Sequence, residues 1–403
     1  MNRNFITALI LLMSSLVFVL LVGGKIPYLI FHALLLYLIL PLIHSGLGLL
    51  LLSGSVGVPS GEFYAGDIIG IRYLVKNNSY LLFPFLVFTP DLSYAVGGKK
   101  AENLTFYLKS RNTFAKTEMT TLRRRGSYEV GGFHLAINDV FSLYSLKKHF
   151  KSDISILILP EITKISSFEI PAGIQSGELL VSQSAYRDKS RVSALREYRE
   201  GDSTRSIHWK ASSRSEVPII KEFEARSDTY VEILMDSLSS NYKGDIDRRM
   251  EDKAVETVVS IVNYCLSRNI TIAVNYENDR KHYRLEGRDY NDLKPYLENL
   301  ARYSATGSLP LGQLILDQSL KIQKGSCTIL VTPSLDPENG STVMDLAYRG
   351  MNPIVVVVSD KHNRSGSVDG YLVGKLREDN IPVYRLDYNQ SISDVLEVSH
   401  DWQ

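Results

Sequence analysis

The sequence predicts a membrane-anchored multidomain chain: a two-helix transmembrane anchor, a β-sandwich, and a doubly wound α/β domain reached through a charged segment. Three observations predict it. Two long apolar runs open the chain, short alternating runs broken by Gly, Asn and Pro follow, and strand and helix patterns alternate from Tyr230 onward. The corresponding bounds are 1–54 for the anchor, 55–165 for the sandwich, 166–229 for the charged segment and 230–403 for the α/β domain.

The anchor rests on FITALILLMSSLVFVLLV (Phe5–Val22) and on a second run from Tyr28 to Leu52, neither containing Asp, Glu, Lys or Arg. A helix needs about 20 apolar residues to cross the hydrocarbon core. A charge near its centre costs roughly 2.5–3.5 kcal/mol even on the lenient insertion scale. A cleaved signal peptide would need a small-residue site after the first run, where Gly23-Gly24-Lys25 leads instead into more apolar sequence. The short linker makes the helices antiparallel, Pro41 is expected to kink the second, and His32 and His44 read as uncharged passengers. Arg3 and the amino terminus set against Lys25, with Arg72 and Lys76 next, favour a cytoplasmic N-terminus. The expected location is the cell membrane with the remaining domains in the cytoplasm.

In the middle region, IIGIRYLVK (Ile68–Lys76), LLFPFLVF, LTFYLK (Leu104–Lys109), SYEVGGFHLAI (Ser127–Ile137) and ISILILP (Ile154–Pro160) read as strands of an immunoglobulin-like β-sandwich. Asn77-Asn78 and Gly131-Gly132 supply residues that tolerate positive φ at turns. Arg123–Arg125 cannot all face one way on a strand, so a solvated edge is expected rather than an anion site. Cys265 and Cys327 lie in apolar-periodic segments and are expected as buried thiols.

At the C-terminal end, TYVEILMD, ITIAVNYE, CTILVTP, PIVVVVSD and IPVYRL alternate with helix patterns at Met250–Arg268, Asp289–Tyr303, Met344–Tyr348 and Tyr371–Arg377. Continuous apolar strands suit a parallel sheet covered on both faces. Neither GxGxxG nor GxxxxGK[ST] occurs, so nucleotide phosphate has no recognisable cradle. The first strand runs into Asp236-Ser237-Leu238-Ser239-Ser240. Oxygen-rich loops of this kind hold hard cations such as Mg²⁺ through residues like Asp236 and Ser240. A Ser-rich turn with Asp236 capping a backbone amide gives the same spacing.

The charged segment contains LREYREGDSTRSIHWKASSRS, Leu195–Ser215. Asp202 and His208 there suit the acid/base pair of a hydrolase, but no GxSxG elbow accompanies them. The other histidines are scattered singly and offer no ligand spacing. A clamp is easier to build: Asp202 caps a short helix through Ser203–Ser212, Arg205 lies one turn from Trp209, and several Arg side chains face Glu197, Glu200, Glu222 and Glu224. A net charge of +1 without a basic, aromatic-laced patch gives no case for nucleic acid.

Leu195–Glu224 strongly resembles the signature of the bacterial family called domain of unknown function fifty-eight. Arg196, Tyr198, Gly201, Asp202, Arg205, Ile207, Trp209, Lys210, Arg214, Lys221, Glu222 and Glu224 fill its pattern. Arg123–Leu146 is similar to a second family stretch, departing at Val140 and Ser142. The resemblance implies a two-helix anchor, a β-sandwich and a von Willebrand factor A-like α/β domain. It also implies a degenerate metal loop, since Leu238 stands where the D-x-S-x-S pattern has its first Ser. The implied role is non-enzymatic: a scaffold or adaptor working with a MoxR-type AAA+ ATPase, beside membrane proteins with transglutaminase-like domains. Arg196, Tyr198, Gly201, Asp202, Arg205, Trp209, Lys210, Arg214, Lys221 and Glu222 would form the binding surface, with no cofactor. A metal-dependent ligand binder and a hydrolase are the rival expectations.

Overall fold

The computed structural model describes residues 3–91, 102–170, 192–197, 208, 212, 218–223, 230–318, 325–360 and 367–397. The chain divides into two units, Met1–Glu161 with Glu298–Arg302, and Ile162–Leu297 with Tyr303–Gln403.

The first unit opens with α1 (Arg3–Val22) and α2 (Lys25–Leu51). Their most apolar windows have mean hydropathies of 2.9 and 2.2, and both are long and apolar enough to cross a membrane. Gly23 and Gly24 make the turn between them at φ of 67° and 90°, a region that glycine enters at no steric cost. The second helix continues through Pro41.

Ten strands follow: β1 (Leu52–Gly57), β2 (Phe63–Tyr64), β3 (Ile68–Asn77), β4 (Phe83–Pro90), β5 (Leu104–Leu108), β6 (Thr113–Thr121), β7 (Gly126–Glu129), β8 (Phe133–Asn138), β9 (Ser145–Phe150) and β10 (Ser155–Leu159). They form sheets ordered β1-β3-β6, β5-β4-β8-β9 and β2-β10-β7, antiparallel except for β2 against β10. Period-two alternation buries Ile69, Ile71, Tyr73 and Val75 of β3 and Phe133, Leu135 and Ile137 of β8 in one shared core.

Helix and sheet are continuous at Leu51 and Leu52. There the Lys148 ammonium of β9 donates to the carbonyls of Leu49 and, at 2.8 Å, Leu52. This places a cation on the orphan carbonyls of a helix C-terminus, and burial lowers the Lys148 pKa.

Ser127–Ile137 forms two strands, β7 and β8, broken at Gly131-Gly132. Two expectations for this region need correction. Gly131 and Gly132 lie outside the positive-φ residues. A Cβ there would stand 1.8 Å from the Asp91 carbonyl oxygen and 1.7 Å from that of Phe150, so they serve close backbone approach. Asn77 likewise acts through its side chain: it is fully buried, donates to the carbonyls of Leu81 (2.7 Å) and Lys109 (3.0 Å), and accepts from the Ser79 amide and hydroxyl. Arg125 is buried, so Arg123–Arg125 is not wholly a solvated edge.

In the second unit, β11 (Val192–Glu197) pairs antiparallel with β12 (Ile219–Phe223). The α/β portion runs β13 (Tyr230–Met235), α3 (Arg249–Leu266), β14 (Thr271–Asn278), β15 (Lys281–Gly287), α4 (Leu293–Ala301), α5 (Leu311–Gln318), β16 (Cys327–Thr332), β17 (Ser334–Leu335), α6 (Pro337–Tyr348), β18 (Asn352–Ser359), β19 (Ser367–Val368), α7 (Gly370–Glu378), β20 (Val383–Asp387) and α8 (Ile392–Leu396). Its six-stranded sheet is ordered β15-β14-β13-β16-β18-β20, parallel except for the edge strand β15.

Val231–Met235 and Ile354–Val358 are buried without a break, as strands covered on both faces must be. Leu234, Leu330, Val355 and Val383 share one core with Leu314, Leu346 and Leu376 of α5, α6 and α7, while α3 packs on β14, β16 and β18. Cys265 and Cys327 are buried free thiols, and burial pushes Cys265 up to about 12.

The sheet also buries a charge. Glu232 of β13 is fully buried and receives the Arg284 guanidinium of β15 and the Asn275 amide of β14. Arg284 also donates to the Tyr230 hydroxyl at 2.6 Å. The pair spans three strands, so the edge strand is held by a buried ion pair as well as by its ladder.

Candidate functional site

In open α/β sheets ligands sit beyond the carboxyl ends of the strands, where the strand order reverses. Here that crevice lies between β13 and β16, the strands that end at Met235 and Thr332. The Asp236 amide donates to the Val331 carbonyl at 2.9 Å and carries the first residue past β13 into the crevice.

Asp236 is 1% exposed, and its carboxylate is fully engaged. Oδ1 accepts the Leu238 amide at 3.0 Å, and Oδ2 meets Asn241 Nδ2 and Thr332 Oγ1, each at 2.7 Å. The Tyr242 and Tyr303 hydroxyls donate to its carbonyl at 3.1 and 3.2 Å. Burial raises the Asp236 pKa, with Asp336 adding to the rise and the three donors opposing it. The Thr332 hydroxyl faces two acceptors, Asp236 Oδ2 at 2.7 Å and the Ser334 carbonyl at 2.8 Å, while its oxygen accepts the Ser334 amide at 3.0 Å.

A second loop straps this one down. The Gly307 amide donates to the Ser237 carbonyl at 2.8 Å, and the Ser239 amide donates back to Gly307 at 3.1 Å. Glu277, 3% exposed at the end of β14, accepts the Ser308 and Leu309 amides at 3.1 and 3.0 Å. A Cβ on Gly307 would come within 2.7 Å of the Ser237 carbonyl and 2.9 Å of the Glu277 carboxylate, so the strap needs glycine. Chemically, the loop cluster is built to hold its own shape.

Of the residues named from sequence, Asp236 lies in this crevice, while Ser240 is exposed in a short 3₁₀ turn, Ser239–Tyr242. The side chains that reach the Asp236 carboxylate are Asn241 and Thr332, which sequence spacing did not single out. Thr332 ends the neighbouring parallel strand, and strand order would have found it. Arg196 sits on β11, paired with Ile220, while Lys221 and Glu222 on β12 pair with Leu195 and Ala194. His208 is half-buried, and its amide donates to the Ile219 carbonyl at 2.8 Å. Tyr198, Gly201, Asp202, Arg205, Trp209, Lys210 and Arg214 lie outside the described residues, as does most of the helix expected over Ser203–Ser212.

Residues 194–290 match the family described as "Protein of unknown function DUF58". The chain is 22% identical over 225 residues to "Uncharacterized protein YeaD" of Bacillus subtilis, covering 54% of this chain and 56% of that relative. Among solved structures, proximal thread matrix protein 1 from the mussel byssus aligns at a TM-score of 0.28 and 15% identity, over 42% of this chain and 44% of its own. A GH20 exo β-N-acetylglucosaminidase from Vibrio harveyi aligns at 0.20 and 8% identity, over 76% and 57%. Alignments this loose carry no argument about fold or activity. The similarity that bears on this chain is therefore the family match over 194–290.

Proposed function

We propose that the chain is a membrane-tethered scaffold or adaptor of the cell membrane, with an immunoglobulin-like sandwich and a von Willebrand A-like α/β domain on the cytoplasmic side. The observation that carries the reading is the continuity of α2 with β1, locked by Lys148 on the last carbonyls of the helix. A helix fastened to its domain at its own terminus transmits position, which is what a tether must do. The strand order with one antiparallel edge supports the von Willebrand A-like label. The self-satisfied Asp236 crevice supports a recognition rather than a chemical role for this unit.

The partner is a MoxR-type AAA+ ATPase, docking on the signature surface around Arg196, Arg205, Trp209 and Lys221. Affinity purification of the full chain in detergent tests this. Wild type recovers an AAA+ ATPase, and Arg205→Glu or Trp209→Ala loses it at an unchanged melting temperature. Equal recovery with these variants, or none with wild type, refutes the docking surface.

The position of Asp236 in the switch crevice favours one second reading, a metal-dependent ligand binder using Asp236 and Ser240. It requires Mg²⁺ to displace Thr332 and Asn241 from one carboxylate. A rise in melting temperature on titration with Mg²⁺ or Mn²⁺, absent in Asp236→Asn, supports it; no rise in wild type removes it.

A further inference from the structure

A different set of side chains comes together on the first unit. His134 of β8 and His149 of β9 occupy directly opposed register positions. Their rings stack with centroids 4.3 Å apart and planes 14° from parallel. Asp91 follows β4, and its Oδ2 lies 3.8 Å from His149 Nε2. One donor atom from each of the three residues lies within 4.8 Å of the others, and all three side chains are exposed.

The fold explains why they meet. Alternation on β8 sends Phe133, Leu135 and Ile137 into the core, which leaves His134 on the outer face. On β9, His149 is exposed between the half-buried Lys148 and Phe150. Asp91 is brought alongside by its amide, which donates to the Gly132 carbonyl at 3.0 Å. Gly131 and Gly132 permit that approach, since a Cβ on either would overlap the backbone of Asp91 or Phe150. The double glycine thus closes two neighbouring backbones around one end of β8.

We propose that Asp91, His134 and His149 form a binding site for a divalent transition-metal ion, taken here as Zn²⁺. Two imidazoles and one carboxylate suit zinc and its transition-metal neighbours, whereas Mg²⁺ and Ca²⁺ take oxygen ligands. Zinc bonds His nitrogen and carboxylate oxygen at about 2.0–2.2 Å, so tetrahedral donors stand roughly 3.3 Å apart. The stacked rings aim their in-plane lone pairs side by side, so binding requires each ring to turn out of the stack toward a shared ion. Exposed side chains are free to make that movement while the ladder holds the two strands in register. Three protein donors leave the fourth position to water, the pattern of an open rather than a closed structural site. A cross-strand ring pair alone contributes roughly 0.2–1 kcal/mol and calls for no carboxylate beside it.

The test uses the full chain in detergent, stripped with chelator and titrated with Zn²⁺ against a competing indicator dye. Wild type takes up one equivalent that His134→Ala and His149→Ala each lose, and Asp91→Asn weakens it at least about tenfold. His282→Ala, exposed on β15, changes nothing. Co²⁺ in place of Zn²⁺ gives the visible absorption of a nitrogen- and oxygen-ligated tetrahedral ion in wild type only. Circular dichroism and melting temperature, unchanged in the three variants because the side chains are exposed, separate loss of ligands from loss of fold. Equal zinc stoichiometry in wild type and the His134→Ala/His149→Ala double variant overturns the site, as does a wild type that takes up none.

Discussion

The two units place their most concentrated polar clusters differently. The α/β unit buries them: Glu232, Asp236 and Glu277 are between 0% and 3% exposed, and each is met by donors from other strands or loops. The sheet-rich unit leaves its most concentrated polar set, Asp91, His134 and His149, on the open face of an antiparallel sheet. A parallel sheet covered on both faces has no wet side, so a polar group in it must be satisfied within the protein. An antiparallel sheet with one wet face can carry ligands that cost the fold nothing. Substitutions at Asp91, His134 and His149 should therefore alter binding, and substitutions that strip Glu232, Asp236 or Glu277 of their partners should alter stability.

The largest expected effect is at Arg284. Replacing it with Met strands Glu232 in the sheet and costs about 3–5 kcal/mol, read as a lowered denaturation midpoint. Asp236→Ala comes next. It leaves the Leu238 amide and the Asn241 side chain without their acceptor, while Thr332 keeps the Ser334 carbonyl, at about 1–3 kcal/mol in all. Asp236→Asn is expected to melt lower as well, because its amide NH2 faces a donor whichever oxygen it replaces, the Leu238 amide at Oδ1 or Asn241 Nδ2 at Oδ2.

The same residue gives a pH test. Its folded-state pKa is raised above the unfolded value, so its stabilisation is complete below the unfolded pKa and is lost as pH rises through the raised one. Wild type should lose stability over that interval, and Asp236→Asn should not. Lys148→Met removes the cation from the end of α2 and costs on the order of 1 kcal/mol, measured as earlier melting of the sheet-rich unit. At the small end, His134→Ala removes the cross-strand ring pair and should change stability by no more than about 1 kcal/mol. A large loss of stability at His134, or none at Arg284, would break the contrast between the units.

Much of the architecture was legible in the sequence because period and length carry it. The two apolar runs became α1 and α2, and the unbroken apolar runs at Ile354–Val358 and Val231–Met235 became buried parallel strands. What escaped notice was mostly short or polar. β6 reads TFAKTEMTT, with few apolar positions to mark it, and β15, KHYRLEG, is equally polar. That strand returns from β14 through Asp279 and Arg280 at φ of 48° and 59°, a two-residue hairpin without the usual Gly.

The candidate sites divide in the same way. Asp236 was found because it ends a strand, while Thr332 lies 96 residues away and meets it only through strand order. The His134–His149 pair was read as two isolated histidines because cross-strand register is a property of the fold, with no spacing in the chain to announce it. The Gly131-Gly132 pair was noticed for the wrong property, φ instead of the absence of a Cβ.

The central claim is a tether continuous with its domain, and alkaline extraction of membranes tests it most directly. The account predicts that the full chain, its α1 segment intact at the amino terminus, stays in the membrane pellet after a carbonate wash. A chain recovered in the soluble fraction with α1 removed would make the first apolar run a signal sequence and contradict it.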